Sequence, residues 1–200
     1  PLRARGYTAK GMNALDAANQ RQIDLRAAWS LAQLIAEMRD HREASFAGRQ
    51  RFPALLRLVT VPVPGSNLRV SMGDLIDNIY TRDMWMHRAD ICRATGREMV
   101  QTAEHDGRIV ALVVRELDRN LKTKLNGHSV IYRLTGKAGG EWVVGSSTAV
   151  EAVISLDVIE FNRLASGRIT AQAALDQGLV KIEGDQAVAT LALSNTRVLY

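Results

Sequence analysis

The chain has 200 residues, 46% apolar and 24% charged, the composition of an ordinary soluble globular protein with enough chain for one large core or two small ones. No apolar run approaches the ~20 residues of a membrane span, no signal peptide opens the chain, and the single cysteine, Cys92, excludes an internal disulfide. The net charge of +5 is uneven, with 15 Arg/Lys against 10 Asp/Glu in residues 1–100 and 11 against 11 in residues 101–200.

These features predict a cytoplasmic protein with no membrane contact. The arginines of the basic half are scattered along amphipathic patterns rather than gathered in a run. There is no zinc-finger spacing, no aromatic ribonucleoprotein motif and no clear helix-turn-helix. Nucleic acid is therefore not an expected partner.

In chain order, residues 1–11 carry no periodic pattern, and the first residue is Pro1 rather than methionine, so a natural N-terminal portion is expected to be missing. Met12 to Gln22 can form a helix. Ser30-Leu-Ala-Gln33 is a capping box, with Trp29 and Leu34 as its hydrophobic staple. Leu31, Leu34, Ile35 and Met38 supply an apolar stripe, and Gly48 is the expected stop. His41, among Asp40, Arg42 and Glu43, reads as a surface residue. Residues 53–67 carry three prolines within twelve residues and the turn signal Pro64-Gly65, so they read as a connection.

Ser71 to Gly96 reads as one helix, capped by Ser71 at its start and ended by Gly96 in a left-handed conformation. At about 100° per residue, Ile76, Tyr80, Asp83, His87 and Asp90 fall on one stripe. Leu75, Ile79, Met84, Trp85 and Met86 flank it, which predicts a largely buried helix with Trp85 directed away from the polar line. Buried charges require partners, and a metal ion is one such partner. A solvated i,i+4 pair between Asp83 and His87 is the plainer alternative.

The wording Asp83-x-Trp85-x-His87-x-x-Asp90-Ile91, then Arg93-Ala-Thr-Gly-Arg97, resembles the third bundle helix of the mycothiol-dependent maleylpyruvate isomerase family. The resemblance implies a DinB-like four-helix bundle in which Asp83 and His87 bind a divalent metal, with zinc the expected ion. It further implies mycothiol as the thiol cofactor and a small anionic or electrophilic substrate. The family's third ligand, a histidine, comes from an earlier helix, and none of the four histidines here stands in such a stretch. An empty or partly occupied site is expected, in an incomplete bundle whose exposed apolar face favours a homo-oligomer.

After Arg97–Gln101 a further helix begins near Thr102, with Ile109, Leu112, Val113, Leu117 and Leu121 as its buried stripe and His105 exposed. The periodicity changes after Asn126. His128–Leu134, Glu141–Val144 and Val150–Ser155 read as strands, Asp157–Ala165 as a helix with Val158, Phe161 and Leu164 inward, and Thr170 as the cap of a short helix ending at Gly178. Val180–Glu183 is a strand and Gln186–Leu193 a last helix. A domain boundary is therefore placed near residue 125, giving 1–125 as the helical bundle and 126–200 as a small α/β domain, an α+β fold overall.

Phe161-Asn-Arg-Leu-Ala-Ser-Gly-Arg168, with Gly178-Leu-Val-Lys-Ile-Glu-Gly-Asp185 and Ala187, resembles the sterol-carrier-protein-like fold. That resemblance implies a small sheet paired with helices over an apolar groove, and it is also similar to the C-terminal domain that accompanies the isomerase bundle. Within it, Arg168 can meet an anionic substrate or end a helix at the surface. Asp90 can orient His87, hold an arginine or contact thiol or substrate, or form a salt bridge with Arg93 or Arg97. Cys92 lies about 140° round the helix from His87 and reads as a packed bystander.

Three functions follow: a metal- and mycothiol-dependent isomerase or thiol transferase with Asp90 and Arg168 as catalytic candidates, a non-catalytic relative carrying an apolar ligand in the C-terminal domain, and a regulatory interaction module.

Overall fold

A computed structural model describes residues 11–63, 68–147 and 149–200. The chain divides into two compact units, Pro1–Asp77 and Asn78–Tyr200.

In the first unit, the Asn13 side chain accepts N–H groups of Leu15 and Asp16 at 3.0 and 2.9 Å and so starts α1 (Ala14–Arg26). The Ser30–Gln33 capping box opens α2 (Leu31–Arg51) as expected. Arg26 ties the two helices together, its guanidinium meeting Glu37 at 2.6 and 2.7 Å. Gly48 does not stop α2, which continues three residues beyond it. A glycine inside a helix costs only about 1 kcal/mol. No residue of α2 is buried. Leu31 is 72% and Met38 66% exposed, so the expected apolar stripe is uncovered.

A single turn, α3 (Ala54–Arg57), leads into β1 (Thr60–Pro62), which pairs antiparallel with β2 (Arg69–Ser71). The region read as a plain connection is thus a short hairpin, and its Pro64-Gly65 turn signal lies outside the described residues.

Helical structure runs from Met72 to Thr95, and its caps match the sequence. Ser71 Oγ accepts the Asp74 N–H at 3.0 Å, and Gly96 has φ +65°. Between them, Leu75–Ile79 is a π turn, after which α4 spans Tyr80–Thr95. A π turn holds an extra residue and rotates everything that follows relative to an unbroken α pattern. Ile76 is therefore buried while Tyr80, expected on the same stripe, is 49% exposed. The buried face of α4 is Arg82, Trp85, Met86 and Ala89, whereas Met84 and Ile91 face outward. This corrects the expectation of a helix buried over most of its circumference.

The second unit is built on a four-stranded sheet of order β4-β3-β5-β6: β3 (Ser129–Thr135), β4 (Gly140–Gly145), β5 (Ala152–Asp157) and β6 (Val180–Gly184). The central pair β3/β5 is parallel, and both edge strands are antiparallel to their neighbours. Register places Val130, Tyr132 and Leu134 beside Ala152, Ile154 and Leu156. All six are buried on one face. The other face carries an ionic ladder, Arg133 to Glu141 at 2.5 Å and Lys181 to Glu183 at 2.7 Å. One face inside and one in water is the usual condition of a sheet with antiparallel edges.

Four helices cover the inner face. α5 (Asp106–Lys122) buries Val110, Val113, Val114, Leu117 and Leu121 in the same core as the sheet. α6 (Val158–Ala165), α7 (Ala171–Asp176) and α8 (Gln186–Ser194) are capped by Asp157, Thr170 and Asp185, of which Thr170 is the expected cap. Because α5 packs on the sheet, the compact units part between Asp77 and Asn78 rather than near residue 125. The fold is mixed α and β with a helical N-terminal region. Among the described residues, no helix is long and apolar enough to cross a membrane.

Candidate functional site

The polar stripe of α4 carries Asp83, His87 and Asp90 close together. Asp83 Oδ1 lies 3.4 Å from His87 Nε2, and Asp90 Oδ2 lies 3.7 Å from His87 Nδ1. Trp85 points away from this stripe, as expected, and donates its indole N–H to Asp106 at 2.7 Å. The enclosure expected for metal ligands is absent: the His87 side chain is 58% exposed and that of Asp83 37%.

Asp90 is occupied by Arg168, which reaches it from 78 residues away. Arg168 Nε donates to Oδ1 at 2.9 Å and Nη2 to Oδ2 at 2.7 Å, a bidentate pair. The sequence singled out both residues without pairing them, and its suggested partners for Asp90, Arg93 and Arg97, are not the ones used. Arg93 instead lies 3.9 Å from Glu160. The turn that presents Arg168 depends on Gly167, with φ +75°; a Cβ there would run into the Arg197 guanidinium.

With both Asp90 oxygens held by Arg168, Asp83 and His87 are left as two donors on a solvent-facing stripe. Among the described residues, no group of three His, Cys, Asp or Glu side chains could hold a metal. Two donors fall short of the three protein ligands of a catalytic zinc site, so the described residues alone do not make up a zinc shell. Cys92 is half-buried and packs against the small cluster of Trp85, Met86, Ala89, Met99 and Ile109, consistent with a bystander role.

Two buried polar centres flank this stripe, and neither was anticipated. The first is Asp106, 2% exposed. It accepts from Trp85, from Arg88 and from the Thr102 backbone N–H at 2.7 Å. Burial pushes its carboxyl up, but the Thr102, Trp85 and Arg88 donors outweigh burial and hold it below the ordinary carboxylate range. With a folded value below the unfolded one, its stabilising contribution is complete above about pH 4 and is lost as the pH falls through the lower, folded value. Asp106→Asn is expected to cost about 1–3 kcal/mol in urea unfolding at pH 7 and to flatten the acid limb of the stability profile.

The second centre is Arg82, 1% exposed, whose Nη1 donates to Glu116 Oε2 at 2.6 Å. The Tyr200 ring lies over its guanidinium at 5.8 Å, and the Tyr200 hydroxyl donates to Asn162 Oδ1 at 2.6 Å. Asn162, fully buried, holds itself with a bond to Val158 O at 2.7 Å. A signal for Arg82 existed in the sequence: positions 82, 85, 86 and 89 share helical spacing, and Arg82 is the one charged member of that otherwise apolar set.

Most of the remaining interior of the unit is apolar, with Ser129 and Thr196 as further buried polar residues. Phe161 meets Tyr132 edge-on, with ring centroids 5.5 Å apart, and Val158, Leu164 and Leu193 complete the packing. Residues 96–194 match the model of the SCP-2 sterol transfer family. This part of the chain is SCP-2-like. The SCP-2 match begins at the glycine that ends α4, so Arg82, Asp83, His87 and Asp90 lie just outside it and Arg168 within it. Among solved structures, the chain is similar to sterol carrier protein 2 from Yarrowia lipolytica in its apo form. That match has 18% identity over 44% of this chain and 90% of that one, with a TM-score of 0.31. A comparison with curated protein sequences gave no match.

Proposed function

We propose that the protein binds and carries a small apolar, lipid-like ligand in its C-terminal half. The observation that carries this reading is the match of residues 96–194 to the SCP-2 sterol transfer family. The architecture supports it: a sheet with one ionic outer face keeps its other face, with α5 to α8, for apolar contact. An apolar ligand entering between sheet and helices would exchange water for aliphatic and aromatic side chains, worth about 25 cal/mol per Å² removed from water.

Displacement of a fluorescent fatty-acid or sterol probe tests it. Saturable binding of one ligand per chain is expected, with apolar molecules recovered when the purified protein is extracted into organic solvent. A protein that takes up neither probe and yields no extractable ligand would contradict the reading.

A second reading, a thiol-dependent isomerase or thiol transferase of the mycothiol type, is supported by the 3.4 Å approach of Asp83 and His87 together with the Asp90–Arg168 pair beside them. It requires a DinB-like bundle and further metal ligands from elsewhere. Zinc titration by calorimetry separates the two readings. On the enzyme reading, zinc uptake disappears in His87→Ala while His105 and His128 remain; uptake unchanged by that substitution removes Asp83 and His87 from consideration.

A further inference from the structure

Arg82 is buried but only partly satisfied. Nη1 bonds to Glu116, whereas Nε and Nη2 have no partner among the described residues. Those two N–H groups form one edge of the guanidinium, spaced to meet the two oxygens of a carboxylate or phosphate. Buried charged donors left dry are costly, and native interiors rarely keep them without a ligand, an ion or a trapped water.

Glu116 cannot serve this edge as well. Its Oε2 takes Nη1, and its Oε1 accepts the Leu199 N–H at 3.4 Å. Glu116 is thus engaged on both oxygens, and the carboxylate nearest Arg168, Asp90, is held by that arginine. The cover is an irregular segment: residues 196–200 form neither helix nor strand. They are fastened by Val198 N to Ala165 O at 3.0 Å, Leu199 N to Glu116, Asn120 Nδ2 to Arg197 O at 3.1 Å and the Tyr200–Asn162 bond.

We propose that the Nε–Nη2 edge of Arg82 is a binding site for one oxyanion, a carboxylate or phosphate group, admitted when residues 197–200 lift from the guanidinium. The oxyanion is either a free small anion or the acidic headgroup of the carried ligand; the chemistry at Arg82 is the same.

The test follows the Arg82 Nε–H resonance in the full 15N-labelled chain. The resonance is assigned by its loss in Arg82→Lys, or by triple-resonance correlation in the wild type should that variant not fold. Inorganic phosphate, sodium decanoate and decanol are titrated separately. A saturable shift with phosphate supports a free anion, and a shift with decanoate alone supports a headgroup; decanol should leave the signal in place. Tyr200→Ala should tighten the anion by about fivefold, the equivalent of the cation–π contact removed. A resonance unmoved by phosphate and decanoate, or moved by decanol as much as by decanoate, overturns the proposal. Decanol binding seen elsewhere in the spectrum would then leave the carrier reading standing.

Discussion

Glu116→Ala is expected to cost about 3–5 kcal/mol of folding stability, read as a fall in the urea midpoint at unchanged slope. The reason is what the substitution leaves behind. Arg82 is 1% exposed on the inner face of α4, and among the described residues Glu116 Oε2, at 2.6 Å, is the one carboxylate it meets. Removing that carboxylate strands a full positive charge in an interior that already leaves two of its N–H groups unpaired. The Leu199 N–H loses its acceptor in the same step.

The double variant Arg82→Met/Glu116→Leu should recover most of the loss, because it removes the charge together with its partner and fills the same space with apolar atoms. A single variant that loses less than about 1 kcal/mol would mean that Arg82 reaches water by a route the packing does not show.

The contrast between what was readable and what was not runs along the distance over which each feature is determined. The caps at Asn13, Ser30, Ser71, Asp157, Thr170 and Asp185 are set by contacts over two or three residues. Of these, Ser30, Ser71 and Thr170 are legible in the sequence as caps. The strands of the sheet declare themselves by alternation, and each lies within two residues of its expected bounds.

The π turn at Leu75–Ile79 leaves no such mark, so α-helical spacing misplaces Ile76 relative to Tyr80 and the residues that follow. The apolar stripe of α5 showed that Val113, Leu117 and Leu121 are buried, but a stripe does not name what covers it. The cover is the sheet, and the boundary near residue 125 cut between the two. Asp90 and Arg168 were each legible as unusual residues, one on the polar line of a helix and the other at a glycine-made turn. Their pairing joins two positions far apart in the chain, and it appears only once α4 and α6 occupy one fold. The family match at residues 96–194 likewise supports the sterol-carrier resemblance of the second half, which rests on a run of local turn and core residues.

Phe161→Ala should destabilise the protein by about 3–5 kcal/mol and, on the carrier reading, be partly rescued by ligand. Phe161 is fully buried at the centre of the core, edge-on to Tyr132 at 5.5 Å with planes inclined at 60°. Truncation removes the burial of a whole ring and the aromatic pair, and leaves a void lined by Val158, Leu164 and the inner face of β3 and β5. Collapse around that void is restrained. The Tyr132 hydroxyl is bonded to Thr196 at 2.6 Å, and Thr196 is itself bonded to Ala192 O at 2.8 Å, so the facing ring is pinned to α8 and cannot swing into the space. Phe161→Leu should lose much less, about 1–2 kcal/mol, because most of the volume is kept. If this interior accepts apolar ligands, adding one at a hundred times its dissociation constant should return about 2.7 kcal/mol to the alanine variant. A loss identical with and without saturating ligand would show that the core around Phe161 is structural packing alone.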